Sequence, residues 1–597
     1  MKILLTTLNS KYIHSSLSIR YLKSYCENSF SNIMVKEFTI NQNPDFIAGE
    51  IVKLDTDVVA FSCYIWNIEN TLQIAETLKM VKPEIKIIFG GPEVSFDGYK
   101  VLEDYKYIDY IIYGEGEETF KDLMVSLENG KQNLNNIQGL IYRENSRIIE
   151  NAPRPLIDNL DDIPSPFKED LNEYKNKIVY FESSRGCPFN CRFCLSSTIN
   201  GVRFFSLKRV KSDLKKLIEA EVRQVKFVDR TFNARKEYAL DIMRFLIEET
   251  KNYKNDINFH FEVTAHLLDE EVLEFLKNVP EGLFQFEIGV QSTNSSTIEA
   301  ISRKTDLDVL RKVVKKVRDN KNIHQHLDLI AGLPYEDYET FKKSFNDVYS
   351  MEPEKLQLGF LKLLKGSELR MDREKYGFKF LDKPPYEVLE NNYISYKEIL
   401  KLKVIEDLVE KYGNEDNFKY SLGFIIKNFY KTAFDFYEDF SIYWEGRNYH
   451  TRAHSKKNLY KILYEFFKVN VGSHENIFNE VLKFDYLLNN KSTNLPKYLA
   501  RESNIEIQKS RHEFLREEEN IERHLSNYKG ESVKEIIKDV HFEEFSIDVF
   551  KLINNDFKLE DNLSNDRVIL FVYKNSTLNK CKTFDVTKEF HRLQDGE

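Results

Sequence analysis

Short apolar, β-rich runs alternate with helical patterns in two successive blocks, and this alternation limits the fold more than any other feature of the chain. In the first block, strands read at 2–6, 35–39, 58–62, 85–89 and 107–112, with helices at 16–28, 67–82 and 117–128. Leu17, Tyr21, Leu22 and Tyr25 fall on one face of the first helix. The pattern predicts a doubly wound, Rossmann-like parallel sheet whose ligands bind at the carboxyl ends of the strands. The second block gives six strands, at 178–184, 224–229, 257–264, 283–291, 324–331 and 355–362, separated by helices at 207–221, 236–251, 269–277, 306–320 and 338–351. Six strands with outer helices predict a partial (β/α)6 barrel with its chemistry at the carboxyl ends.

Directly after the first strand of that block stands Cys187-Pro188-Phe189-Asn190-Cys191-Arg192-Phe193-Cys194. Three thiolates at these gaps can wrap one iron–sulfur cube and leave one iron open to a substrate or cosubstrate. Zinc would need a fourth Cys or His within reach, and the candidates are distant in sequence. Three structural thiols within eight residues would be unusual where free Cys is scarce. Disulfides fit badly: six cysteines in 597 residues, and an apolar start (residues 1–5) cut short by Asn9, Ser10 and Lys11, read as a cytoplasmic, reducing setting.

The cysteine spacing resembles the radical S-adenosylmethionine (SAM) superfamily. That resemblance implies SAM chelating the open iron of a [4Fe-4S] cluster, with reductive cleavage to a 5′-deoxyadenosyl radical. Upstream, Ser62-Cys63-Tyr64-Ile65-Trp66-Asn67, Gly90-Gly91-Pro92-Glu93 and Gly114-Glu115-Gly116-Glu117 follow successive strands. Their glycines let backbone approach a flat ligand or a phosphate closely, although a lone Gly-Gly-Pro is more often just a turn. Ahead of the cysteine loop, they resemble the cobalamin-binding domain of B12-dependent radical SAM proteins. By that resemblance Gly90, Gly91, Pro92, Gly114, Glu115 and Gly116 surround the corrin edge and nucleotide tail, and Ser62, Trp66 and Asn67 approach the lower face of cobalt. Many B12 enzymes ligate cobalt through an Asp-x-His-x-x-Gly. Here Tyr12-Ile13-His14-Ser15-Ser16-Leu17 keeps the His without the Asp or Gly, so His14 stands as ligand or as ordinary loop residue.

The other barrel strand ends carry Asp229, Glu262, Thr264, Glu287, Gln291 and Asp328. The resemblance implies Asp229, or carbonyls beside it, at the SAM amino group, Glu287 and Gln291 near the ribose and carboxylate, and Asp328 in the segment beside adenine. Glu262 and Arg303 are further candidates for SAM contact. For each, the alternative is a barrel-core hydrogen bond. Arg185, ahead of the cysteines, either tunes the charge there or caps a loop.

The expected domains are 1–130 (cobalamin-binding), 131–176 (a Pro-rich linker), 177–380 (radical SAM barrel) and 381–597 (a mostly helical extension). The extension resembles that of an uncharacterised branch of B12 radical SAM proteins. A basic run at 452–468 reads mainly as a solvated helix face, and 568–573 with 581–585 as a terminal strand pair. The net charge of −10 argues against broad nucleic-acid binding, and no stretch approaches the ~18 apolar residues of a membrane span. The chain is therefore expected to be a cobalamin-dependent radical SAM enzyme that methylates an unactivated carbon of a small molecule, reduced by a flavodoxin or ferredoxin. A non-methylating B12 redox or rearrangement enzyme, an RNA-modifying radical SAM enzyme and a non-catalytic sensor are the alternatives.

Overall fold

The computed structural model describes residues 1–168, 170–199, 201–253, 257–491, 495–499, 505–559, 563–573 and 581–595. The chain divides into two compact units, 1–344 with 358–399, and 345–357 with 400–597. No helix among the described residues is long and apolar enough to cross a membrane.

The first unit holds two sheets. One has seven strands in the order β2-β1-β3-β4-β5-β6-β7: β1 (Ile3–Asn9), β2 (Ile33–Thr39), β3 (Val58–Ser62), β4 (Lys86–Gly90), β5 (Tyr110–Ile112), β6 (Leu140–Glu144) and β7 (Arg147–Glu150). β1 to β5 pair in parallel. β1 and β3 are buried along their whole length, as strands covered by helices on both faces must be. The antiparallel hairpin β6–β7 extends this sheet, so 140–150 are part of the first domain's sheet rather than linker. Its two-residue turn, Asn145-Ser146, has φ of 47° and 67°, the left-handed geometry that matches strand twist.

The second sheet has the order β15-β14-β13-β12-β11-β8: β8 (Ile178–Phe181), β11 (Gln224–Phe227), β12 (Asn258–Glu262), β13 (Phe284–Gln291), β14 (His324–Ala331) and β15 (Lys355–Phe360). The sheet is open, as a partial barrel requires, and all six expected strands are present. Its two faces differ sharply. Phe259, Phe261, Phe284, Phe286, Ile288 and Leu327 are buried on one face, while His260, Glu262, Gln285, Glu287, His326 and Asp328 lie in register on the other. A short antiparallel ribbon, β9 (Ser184–Cys187) with β10 (Gly201–Phe204), brackets the cysteine loop, and β16 (Lys379–Phe380) pairs with β17 (Val388–Glu390).

The second unit is built on helices Lys419–Phe429, Ala433–Gly446, Lys456–Asn470 and Glu475–Asn489 around an aromatic core that includes Phe436, Phe440, Trp444 and Phe466. Lys456, Lys461 and Lys468 of the basic run are more than half exposed and face Glu415, Glu465 and Glu475, a solvated helix face. The expected strand pair forms β19 (Ser564–Val572) and β20 (Lys582–Asp585), joined by a strand the sequence reading missed, β18 (Val540–Ile547).

Candidate functional site

The cysteine loop leaves the carboxyl end of β8 on a hydrogen-bonded floor. Asp229, fully buried, accepts from Ser183 N (2.9 Å), Ser183 Oγ (2.6 Å) and Ser184 Oγ (2.6 Å). Burial pushes its carboxyl above the usual range, against these bonds. Its oxygens brace the loop's base, which leaves the neighbouring main-chain carbonyls as the other acceptors expected for a SAM ammonium. On the ribbon, Cys187 pairs with Gly201 and Arg185 with Arg203. Gly186, at φ 99°, passes so close to Gly201 O that a side chain would collide with it.

Cys187 Sγ lies 3.6 Å from Thr231 Oγ1, and Cys194 Sγ accepts from Ser196 N at 3.4 Å. Cys191 is buried with Arg303 Nη1 3.7 Å from its sulfur. Burial pushes this thiol up while Arg303 pulls it down and the other two thiols push it up, so the three are electrostatic neighbours. Among the described residues no three His, Cys, Asp or Glu close on a single ion.

Beside Cys191, Arg303 Nη2 donates to Gly289 O. Gly289 pairs in register with Asp328, and Gln291 follows it at φ 72°. Three buried polar atoms here have no hydrogen-bond partner: Arg303 Nε, Gln291 Oε1 and Asp328 Oδ1. Native structures rarely leave such atoms unpaired, so each calls for a partner from outside the chain, a bound group or a buried water. A donor and two acceptors suit the carboxylate and ammonium of an amino-acid moiety. Burial, then the charges of Glu287 and Glu262, raises Asp328 to about 8. Burial also raises Glu262, with Arg230 opposing.

Glu287 is drawn into ion pairs within the strand interior. Burial would raise it, but His260 Nε2 at 2.8 Å and Lys226 Nζ at 2.9 Å from Oε2 bring it down to about 2. Its carboxylate is thus engaged by Lys226 and His260 on the neighbouring strands. Gln285 Nε2 reaches His260 Nδ1 (3.3 Å) and His326 Nε2 (3.1 Å), so the interior wall below the cysteines is polar. Lys226 and His260 lie on strand interiors with no motif around them, and only the period-two alternation marks them as inward-facing.

In the first domain the carboxyl-end loops meet as predicted, but several side chains are otherwise engaged. Asn67 is buried and donates to Thr7 Oγ1, Leu8 O and Ser62 O while accepting from Tyr64 N, which makes it a loop brace. Ser62 Oγ bonds Ser18 Oγ at 3.0 Å. Trp66 donates to Leu8 O and stacks on Tyr64 with centroids 4.5 Å apart, and the residue is 46 % exposed. Gly90-Gly91-Pro92 does make a close approach: at Gly91 (φ 105°) a Cβ would lie 2.6 Å from Cys63 O.

The Glu115 carboxylate is engaged by protein donors. It accepts from Ile157 N (2.8 Å), Arg203 Nη2 (2.7 Å) and Arg185 Nη1 (3.2 Å), and Arg185 Nη2 donates to Glu117 at 2.6 Å. The Gly114-Glu115-Gly116-Glu117 turn therefore grips the cysteine ribbon. His14 also faces the barrel: its Nδ1 is 2.9 Å from Tyr180 OH and Ile178 N donates to Ile13 O. That ring is committed to β8 at Nδ1, and burial with nearby Lys11 and Lys226 lowers its pKa.

Comparison with known families and structures agrees with this architecture. Residues 3–124 match the B12 binding domain, 181–348 the radical SAM superfamily, and 374–571 a family described as a protein of unknown function (DUF4080). An uncharacterised methyltransferase of Pyrococcus horikoshii is 32 % identical, over 49 % of this chain and 64 % of that protein. A 2-(S-pantetheinyl)-carbapenam-3-carboxylate methyltransferase of Streptantibioticus cattleyicolor is 26 % identical, over 50 % and 46 %. The cobalamin-dependent radical SAM methyltransferase TokK of Streptomyces tokunonensis is 24 % identical, over 61 % and 56 %. The chain thus covers less than two thirds of each of these relatives. The fold is shared with the cobalamin-dependent radical enzyme OxsB, solved with aqua-cobalamin and SAM (TM-score 0.55, 14 % identity, 81 % of this chain and 83 % of that one). The chain carries a B12-binding domain followed by a radical SAM domain, the domains that hold cobalamin and a [4Fe-4S] cluster with SAM.

Proposed function

We propose that this protein is a cobalamin-dependent radical SAM enzyme that methylates an unactivated carbon of a small-molecule substrate, in the cytoplasm, with a flavodoxin- or ferredoxin-type protein as reductant. The observation that carries the reading is the set of three neighbouring thiols at the carboxyl end of β8, beside the unpartnered Arg303 Nε, Gln291 Oε1 and Asp328 Oδ1. The methyltransferase names of the relatives support the choice of methyl transfer.

Cys187, Cys191 and Cys194 would hold the cluster. Arg303 and Gln291, with Asp328, would hold the amino-acid end of SAM. Gly90, Gly91, Pro92, Gly114 and Gly116 would let the first domain's backbone approach cobalamin, with Trp66 exposed at the same end of the sheet. Bound there, the cluster and SAM supply a 5′-deoxyadenosyl radical and cobalamin supplies a methyl group.

The chain's own share is placement. Arg303 reaches both Cys191 Sγ and the Gly289 carbonyl, and so fixes the bound amino acid against the cysteine loop. The polar wall of Lys226, His260, Gln285 and Glu287 orients a substrate by hydrogen bonds and charge. Lys226 and His260 keep the Glu287 carboxylate ionised, so it accepts and does not donate a proton.

The test is anaerobic turnover of the reconstituted protein with SAM, hydroxocobalamin and a low-potential reductant. 5′-Deoxyadenosine and S-adenosylhomocysteine are both expected, and Cys191→Ala should form neither. If wild type forms no 5′-deoxyadenosine the radical reading is lost. If it forms no S-adenosylhomocysteine with its substrate, methylation is lost.

A further inference from the structure

The two glycine turns of the first domain are each tied to a different flank of the cysteine loop. One tie is the grip of Glu115 and Glu117 on Arg185 and Arg203, next to Cys187. The other starts at Glu93, directly after Gly90-Gly91-Pro92. Glu93 is buried; Tyr386 OH donates to its Oε1, and Lys365 Nζ is 3.1 Å from the same oxygen and 2.9 Å from Asp97. Gly366, at φ 85°, has no room for a side chain because Phe96 of the first domain packs onto it. Three residues on, Leu369 N donates to Arg192 O (3.1 Å), and Arg192 Nε donates to Glu368 (2.9 Å). Arg192 lies between Cys191 and Cys194, and its own N–H is held by Ile301 O at 3.0 Å. A single stretch, 365–369, therefore runs from the Gly-Gly-Pro turn to the middle of the cysteine loop.

We infer that Glu93 and Tyr386 are positioning residues that couple the two cofactor sites, so that a corrinoid held by the glycine turns and a cluster held by the cysteines each strengthen the binding of the other. Turns and loop share ordered, buried contacts, and a ligand that fixes one end lowers the cost of fixing the other. Coupling of this kind is reciprocal. The inference rests on the functional reading above and adds a property that its cofactor list does not contain.

The test measures hydroxocobalamin affinity of the full-length protein, anaerobically, in cluster-loaded and iron-free forms. In wild type the loaded form should bind about 5-fold or more tightly. In Tyr386→Phe, and separately in Glu93→Gln, the ratio should fall close to one, whatever the change in absolute affinity. A purely structural role would weaken binding equally in both forms and leave the ratio intact. Equal affinities in the two wild-type forms, or an unchanged ratio in both variants, would overturn the coupling while the B12 reading stands. No hydroxocobalamin binding to either wild-type form would overturn that reading and the coupling with it.

Discussion

Arg185 and Glu117 meet at 2.6 Å with side chains only 13 % and 7 % exposed, and the same guanidinium reaches Glu115 and Glu182. One cation thus serves three carboxylates. Burial, opposed by Arg185, leaves Glu182 raised to about 7. Removing the cation strands buried negative charge. Arg185→Met is expected to destabilise by about 3–5 kcal/mol in urea unfolding, and Arg185→Lys by less, because an ammonium keeps the charge without the forked geometry.

Anaerobic reconstitution should load about four irons per chain. Cys191→Ala should lose most of that iron while keeping its far-UV circular dichroism, since the loop's base is held by Asp229, Ser183 and Ser184 rather than by sulfur.

Arg303→Gln removes the donor aimed beside Cys191. Bonds to charged groups contribute about 1.5–3 kcal/mol. SAM affinity should accordingly drop about 10-fold or more in equilibrium dialysis, with iron content close to wild type.

Gly91→Ala places a Cβ 2.6 Å from Cys63 O at a φ of 105°. Backbone strain of this type costs about 1–3 kcal/mol. The variant should melt lower and retain less hydroxocobalamin on gel filtration, whereas Gly130→Ala, also at positive φ but with open space around it, should keep its corrinoid.

Asp485 in the second unit gives a pH signature. It is fully buried, and burial raises its carboxyl to about 7 despite bonds from Ser421 N (2.7 Å) and Ser421 Oγ (2.6 Å). The folded form therefore binds this proton more tightly than the unfolded chain, where Asp titrates near ~3.9. Its contribution is fully present below about 4 and declines as pH rises toward 7, by up to about 1.4 kcal/mol per unit. Relative to Asp485→Asn, wild type should lose stability across that window in denaturant titrations. A difference independent of pH would refute the assignment.

Both sheets were legible because strand periodicity is local. Along β13 the order Phe284, Gln285, Phe286, Glu287, Ile288 already states which residues face the helices and which the interior. The cysteine spacing is local too. The roles of Asp229, Glu115 and Glu93 were not legible, because their partners lie 42 to 293 positions away and a carboxylate looks the same whether it meets a ligand or an arginine. The β6–β7 hairpin was hidden for a different reason: its Asn145-Ser146 turn precedes the proline-rich stretch that dominated the reading of 131–176.

The floor beneath the cysteines has a consequence for assembly order. Asp229, the two serines and the ribbon are joined by protein groups alone, so the hydrogen bonds of this floor do not run through sulfur. Iron loading is expected to follow refolding, with protein refolded without iron regaining its far-UV circular dichroism and then taking up iron on reconstitution.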